Sequence, residues 1–388
     1  MRWTVHATML CVFLSGLLCQ AAVATGQSPP VPDGLDAKAS EPAARDVKLT
    51  ETIPKEMEKA SVPGAIVGIW KDGEAPYVRA FGVRDTATGE PMATDLYTRI
   101  GSVTKSFTTT AILQLVDEGK LGLDDAISKY VPGVPNGDKI TIRQLAAMRS
   151  GLFSYSDETN AMVLSQPQRQ WTPQEVLEIA FRHPPLFPPG TDFDYSNTNT
   201  VLLGLVVEKV SGQSLDTYIE EHLTRPAKLE HTLFPTDAEL PSPHTHGYLK
   251  TPEGKVVDTT DWDPSWGWAA GHMVSTVDDL HIWARDLATG KLLSPATQRE
   301  REQSFMLAPS EGTGSLYGLG VENQNGWIGH NGNISGYQTY AYYLPSERTT
   351  MVVIVNSSVD LIGVWNLVTE IVKIISPDHS WPAPPSDP

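Results

Sequence analysis

The chain has 388 residues, of which 40% are apolar, and it carries a formal net charge of −17. This apolar content excludes a disordered protein and requires a buried core, which one large domain or two closely joined subdomains would supply. The negative charge disfavours binding to nucleic acid or to an anionic lipid surface, because like charges repel.

The first 24 residues predict a secretory signal peptide. Arg2 supplies the positive start, residues 7–18 form an apolar run, and Ala22-Val23-Ala24 provides the small residues of a cleavage site. The apolar run is shorter than the roughly 20 residues that span a bilayer, which disfavours an uncleaved membrane anchor. Cys11 and Cys19 both lie in this segment, so the mature chain is expected to be secreted with neither a disulfide nor a thiol nucleophile.

Proline-rich composition predicts flexible segments at both ends of the mature chain. We expect a lead-in over residues 25–45 and a loose tail over residues 376–388. The hydrolase domain would then occupy residues 46–375.

The first predicted elements of this domain are a hairpin and a long helix. Strand-like runs at residues 65–70 and 77–81 flank Asp72-Gly73, which is a turn signal typical of hairpins. Apolar residues then recur at helical spacing from Ser102 to Glu118, and Gly119 can end that helix.

The middle of the chain predicts further helices, and its end predicts strands. Helical segments are expected at residues 142–148, 173–182 and 200–210, and an antiparallel strand pair at residues 337–344 and 350–356. We therefore expect an α+β sandwich. Its antiparallel sheet would be built from both chain ends and flanked by helices, with a mostly helical subdomain inserted at about residues 108–245.

Ser102-Val103-Thr104-Lys105 is the first pattern that indicates catalysis. Positions i and i+3 share a helix face, so the Lys105 amine is expected beside the Ser102 hydroxyl. A serine needs a base to remove its proton, and a lysine serves if its surroundings lower its pKa. The free N–H groups at the helix start would also favour developing negative charge. Alone, the pattern also fits a capping serine followed by a solvated lysine.

Two further patterns follow in order, Tyr195-Ser196-Asn197 and His330-Asn331-Gly332, and each occurs once in the chain. Tyr195 can shuttle a proton, and the Asn197 amide can hold a substrate carbonyl or the lysine. His330 and Gly332 fit an edge strand that a substrate backbone approaches closely, because glycine removes an obstructing side chain. Singly, the tyrosine also fits core packing and the histidine an ordinary strand end.

Together these motifs resemble the serine β-lactamase and D-alanyl-D-alanine carboxypeptidase superfamily. The resemblance rests on residues 100–107, the Leu113–Leu121 helix end, residues 195–199 and His330-x-Gly332, and it covers about residues 46–370. It is closest to secreted actinomycete-type DD-peptidases and to class C β-lactamase-like esterases and amidases.

The resemblance implies an acyl-enzyme mechanism without a metal or another cofactor. Ser102 would be the nucleophile, with Lys105, Tyr195 and His330 as the other catalytic residues. The expected substrate-binding residues are Asn197, Trp266, Asn331, Gly332 and Asn333. The backbone N–H groups of Ser102 and Asn333 would form the oxyanion hole. Whether Lys105 or Tyr195 is the base stays open.

One departure concerns the substrate. DD-peptidases hold the substrate carboxylate with an arginine shortly before the His-x-Gly strand, but no Lys or Arg lies between Arg301 and Arg348 here. A terminal carboxylate would lose a charge-assisted contact. We therefore expect a small peptide, amide or ester substrate without that carboxylate, hydrolysed or transferred to another acceptor, and weak covalent binding of β-lactams.

Other classes of function fit less well. No serine stands in a Gly-x-Ser-x-Gly pattern, and the His244-Thr245-His246 pair lacks the frame of a zinc hydrolase. The non-enzyme alternative is a catalytically silent module that binds penicillin or peptidoglycan.

Overall fold

The structure, a computed structural model, describes residues 41–308 and 315–382. The predicted signal peptide and most of the predicted lead-in lie outside the described residues. Within those two ranges, no helix is long and apolar enough to cross a membrane.

The described residues form one large sheet, two small ones and helices around them. The strands are β1 Gly64–Lys71, β2 Tyr77–Gly82, β3 Thr98–Arg99, β4 Tyr248–Lys250, β5 Val256–Asp258, β6 Val274–Ser275, β7 Met306–Leu307, β8 Leu316–Tyr317, β9 Glu322–Gln324, β10 Trp327–Ile334, β11 Tyr337–Leu344 and β12 Thr349–Val355. The α-helices are α1 Glu41–Lys59, α2 Thr104–Asp117, α3 Ile142–Ala146, α4 Ser156–Ser165, α5 Pro173–Phe181, α6 Asn197–Ser211, α7 Leu215–Ile219, α8 Arg225–Ala227, α9 Trp268–Gly271, α10 Val277–Thr289, α11 Pro295–Gln303 and α12 Leu361–Ile375.

The large sheet joins the two ends of the chain, as the sequence predicts. Its strand order is β2-β1-β12-β11-β10-β9-β8-β7, and every neighbouring pair is antiparallel. Strand β1 pairs with β12 in the register Ala65 to Val355, although these residues lie far apart in the sequence. The predicted α+β sandwich is confirmed, and the helices between β3 and β6 form the inserted part.

Both faces of the central strands are buried. Alternate residues of β1 and β12, such as Val67 and Val353, pack with α1 and α12 on one face. Their neighbours, such as Ile66 and Val352, join the larger core with α2 and α10 on the other face. Apolar residues at both parities are therefore required, and this is why the strands read as continuous apolar runs.

The predicted limits of the domain were wrong at both ends. Helix α1 already begins at Glu41, and its Leu49 and Ile53 are fully buried in the core shared with α12. Beyond α12, Trp381 is only 3% exposed and packs against Tyr342, with ring centroids 4.9 Å apart. Proline-rich composition predicted that both segments are flexible. Burial of a few large apolar side chains is nevertheless enough to order them.

Two helix starts matter for the site. The nucleophile motif does not begin an α-helix at Ser102, because residues Gly101–Val103 form a 3-10 turn and α2 starts at Thr104. Helix α6 starts at Asn197, three residues before the predicted limit, so Ser196 is its N-cap residue and Tyr195 lies just before it. Gly119 follows α2 with a φ of 68°, in agreement with its predicted role as a helix end.

Candidate active site

Ser102 is presented by a tight turn packed against strand β10. Gly101 has a φ of 51°, and a Cβ there would lie 2.8 Å from the backbone of Asn333. A Cβ at Gly332 would lie 1.9 Å from the carbonyl oxygen of Ile100 and 3.0 Å from the Ser102 nitrogen. The turn and the strand therefore touch through backbone atoms, which only glycine permits at these two positions.

Lys105 lies beside the Ser102 hydroxyl, as the helical spacing predicts. Its side chain is fully buried, and Nζ donates to Ser102 Oγ and to the Ala270 carbonyl oxygen, each at 2.8 Å. Nζ also lies 5.0 Å from the centroid of the Tyr195 ring. The solvated-lysine alternative is therefore wrong, and the N-cap residue of α2 is Val103 rather than Ser102.

Tyr195 and Asn197 form the wall opposite β10. The Asn197 backbone N–H donates to Ser154 Oγ at 3.1 Å, and its side-chain amide donates to Ser156 Oγ at 2.9 Å. The Tyr195 ring meets the Tyr317 ring edge-on, with centroids 5.9 Å apart. Two serines that the motifs do not contain thus hold Asn197, and Ser156 orients its side-chain amide.

His330 is fully buried and does not line the cleft. Its Nδ1 lies 2.5 Å from the Asn331 carbonyl oxygen and 3.4 Å from Glu322 Oε1, so Nδ1 carries the proton. Nε2 then accepts from the Tyr317 hydroxyl at 3.1 Å. Burial, together with the charge of Lys105, lowers the pKa of His330 to about 3, so the imidazole is neutral at neutral pH.

Glu322 is a buried carboxylate beside this histidine. It is 5% exposed, touches the cleft, and accepts hydrogen bonds from the Tyr342 hydroxyl and the Asn331 backbone N–H. Burial raises its pKa to about 7, although these donors and the charge of Lys105 act in the opposite direction.

Strand β10 has an open edge beside Ser102. Only residues 327–329 pair with β9, whereas residues 328–334 pair with β11. Ile334 and Tyr337 close a two-residue turn, so Asn333, one residue before Ile334, directs its N–H away from β11. This places the Asn333 and Ser102 N–H groups at the crossing of strand and turn, where an oxyanion hole is expected.

Gly332 lies on a strand with an open edge, as expected, and its missing side chain also serves the packing of the Ser102 turn. The sequence suggested that this glycine admits a substrate backbone, and the cleared space holds the Ile100 carbonyl. Gly336 likewise serves the β10–β11 turn, with a φ of 87° and a Cβ position 2.1 Å from Thr259 Oγ1.

A cleft of about 450 Å³ opens at Ser102. The nine predicted site residues divide between its wall and its support. Six line the cleft, namely Ser102, Tyr195, Asn197, Trp266, Asn331 and Asn333. Lys105, His330 and Gly332 support them from outside the wall. The described residues contain no group of three or more His, Cys, Asp or Glu side chains that could hold a metal ion.

A serine hydrogen-bonded to a buried lysine beside an open sheet edge defines the serine β-lactamase/transpeptidase superfamily, and comparisons agree with this class. Residues 49–362 match the Beta-lactamase family, so the chain belongs to that family. Protein flp of Staphylococcus aureus (strain MW2) is 27% identical over 335 residues, or 84% of this chain. The chain spans 66% of the length of that relative.

Two solved structures are similar over nearly their whole length. A D-stereospecific amidohydrolase from Streptomyces sp. is 30% identical, with a TM-score of 0.76 over 86% of this chain and 99% of its own. The D-amino acid amidase of Ochrobactrum anthropi SV3, complexed with L-phenylalanine amide, is 26% identical, with a TM-score of 0.77 over 87% of this chain and 100% of its own.

Sequence reasoning missed four contributors to the site: Ser156, the Ala270 carbonyl, Tyr317 and Glu322. The sequence analysis noted the region of Glu322 only for its lack of a cation. The Ala270 carbonyl has no sequence signal, because any residue supplies the same backbone acceptor.

Proposed function

We propose that this chain is a serine amidohydrolase of the DD-peptidase type that forms an acyl-enzyme on Ser102. The hydrogen bond from Lys105 Nζ to Ser102 Oγ, 2.8 Å long, carries the proposal, because it places a base at the hydroxyl of the expected nucleophile. The similar amidohydrolase and D-amino acid amidase support this class of reaction.

The reaction would run through two acyl transfers. Ser102 Oγ would lose its proton to Lys105 in its deprotonated amine form or to Tyr195 in its phenolate form, and would attack the substrate carbonyl carbon. The backbone N–H groups of Ser102 and Asn333 would stabilise the resulting oxyanion. The leaving group takes up the proton and departs, and water or another nucleophile then releases the acyl group from Ser102.

His330 is assigned a positioning role in this scheme. Its imidazole is neutral at neutral pH and lies outside the cleft wall, so it holds the edge of β10 and Tyr317 in place. Lys105 and Tyr195 would then carry out the proton-transfer steps.

The cleft supports a substrate without a free carboxylate. Its described wall contains Glu322 and no lysine or arginine. A carboxylate there would meet no cation and would be repelled once Glu322 ionises. Amides and esters fit better, including D-amino-acid amides, and the amidase of Ochrobactrum anthropi SV3 was solved with L-phenylalanine amide.

Intact-mass spectrometry tests the acyl-enzyme. The protein is exposed briefly to an activated ester and, separately, to benzylpenicillin, with Ser102→Ala as the control. We expect ester turnover and a mass adduct that the control lacks. The absence of both turnover and adduct would refute the proposal. An adduct without turnover of any ester or amide would favour a silent binding module.

Substrate choice is tested by comparing an acyl-D-Ala-D-Ala peptide with its C-terminal amide. We expect a higher kcat/KM for the amide. A much better reaction with the free acid would show that the lost arginine contact does not matter.

Secretion rests on residues 1–24 alone and stays a prediction, which N-terminal sequencing of the exported protein would check.

A further inference from the structure

The cleft changes character along strand β10. Asn331 lies at one end, where its N–H bonds Glu322, and Asn333 lies in the middle, beside the turn of Ser102. At the other end the β10–β11 turn is tied to the start of the next segment, because the Gly336 N–H donates to Ser358 Oγ at 2.9 Å. The strand therefore runs from a carboxylate, past the nucleophile, to a third region.

That third region is mostly apolar, with Ser335 and Ser358 as the polar residues of the cleft lining there. Ile334, Leu249 of β4 and Leu361, the first residue of α12, line the cleft there. Leu361 is 50% exposed, so a large apolar side chain is open to the cleft. Covering such surface with an apolar group is favourable, because it removes both partners from water.

Helix α4, on the opposite wall, shows the same change. Four of its residues face the cleft, in the order Ser156, Asn160, Val163 and Leu164. Ser156 bonds the Asn197 amide near the nucleophile, whereas Val163 and Leu164 lie about 10 Å further along the helix. Polar residues thus give way to apolar ones in the direction away from the nucleophile.

Both walls of the cleft contact the segment of residues 259–263. Past the end of α4, the Pro167 carbonyl accepts from the Asp263 N–H at 2.8 Å, next to Trp262, which also lines the cleft. On the strand side, Thr259 Oγ1 donates to the Ser335 carbonyl at 2.8 Å. The apolar side chains of both walls therefore surround one end of the cleft, which we name the apolar end: Val163, Leu164, Leu249, Trp262, Ile334 and Leu361.

The position of the proton-carrying groups orients the substrate. A leaving group must receive a proton, and Tyr195 lies toward His330, with ring centroids 6.3 Å apart, and close to Lys105. The cleft residues of the apolar end carry no titratable group. The leaving group therefore belongs at the Glu322 end, and the acyl group extends from Ser102 toward the apolar end.

From this arrangement we infer that the apolar end is a binding subsite for an aliphatic or aromatic acyl chain of the substrate. The inference rests on the proposed acyl-enzyme function and names the substrate class: apolar acyl groups joined to a neutral or cationic leaving group.

The kinetic test uses p-nitrophenyl acetate, butyrate and hexanoate with the full-length protein. Each fully buried methylene contributes about fourfold, and hexanoate has four more methylenes than acetate. Burial of half of them should raise kcat/KM about 16-fold from acetate to hexanoate, and burial of all of them about 250-fold. Leu361→Asn should lower this preference for hexanoate over acetate at least threefold. Leu186→Asn is the matched control, since Leu186 is 53% exposed and does not line the cleft.

A binding test separates the subsite from the proposed function. On the Ser102→Ala variant, calorimetry compares hexanamide with acetamide, again with and without Leu361→Asn. Tighter binding of hexanamide that Leu361→Asn removes would support the subsite even if no ester were turned over. Ester turnover without any acyl chain-length preference would overturn it, and a preference for the longer alcohol in hexyl over ethyl acetate would overturn the orientation.

Discussion

Glu322→Gln tests whether the buried carboxylate titrates as the structure requires. In the folded protein its pKa is raised to about 7, whereas the ordinary value is 4.5. Between these pH values the folded protein keeps a proton that the unfolded chain has released. The stability of the protein therefore falls, through this group, as pH rises from 4.5 to 7.

The size of the effect follows from the same two pKa values. Each pH unit of the gap corresponds to about 1.4 kcal/mol, so the gap amounts to about 3 kcal/mol. Glutamine is neutral at every pH, and its variant lacks this loss. Relative to the wild-type protein, the free energy of unfolding of Glu322→Gln should thus increase by about 2 to 3 kcal/mol between pH 5 and pH 8.

Urea unfolding at pH 5 and pH 8, followed by tryptophan fluorescence, measures this difference. Hydrogen bonds lost in the variant count equally at both pH values and cancel. Glu51→Gln, at an exposed position of α1, controls for the removal of one negative charge. Parallel pH dependence of Glu322→Gln and the wild-type protein would show that the carboxyl group is not buried as described.

Three further predictions follow from single contacts. Gly332→Ala should lower the free energy of unfolding by about 1 to 3 kcal/mol and abolish ester turnover, because the new Cβ would lie 1.9 Å from the Ile100 carbonyl oxygen. Thermal unfolding measures the loss of stability. Gly122→Ala is the control, because a Cβ there makes only ordinary van der Waals contacts. Trp381→Ala should lower the free energy of unfolding by about 3 kcal/mol, since Trp381 is 3% exposed. An unchanged melting temperature would instead support the predicted loose tail. His330→Gln should lower kcat/KM without changing the shape of its pH profile between pH 5 and pH 8, because the pKa of His330 is about 3. A lost inflection in that range would mean that His330 titrates there.

Local rules were sufficient for much of the fold. The 72–73 turn, the helix after Ser102 and the strands at residues 337–344 lie within about two residues of their predicted positions. Periodicity and turn residues act over a few neighbours, so they are readable in the chain itself. The pairing of Ser102 with Lys105 belongs to the same class, because helical spacing alone brings the two side chains together.

The remaining features depend on contacts between distant parts of the chain. Lys105 meets the Ala270 carbonyl, and Gly332 clears space for Ile100, only because α2, α9 and β10 pack together. Glu322 reaches His330 only through the register of β9 on β10. The sequence by itself determined which residue types are present and in what order. Tertiary packing decided their burial, and burial sets the protonation of His330 and Glu322, because removing water penalises the charged form of each.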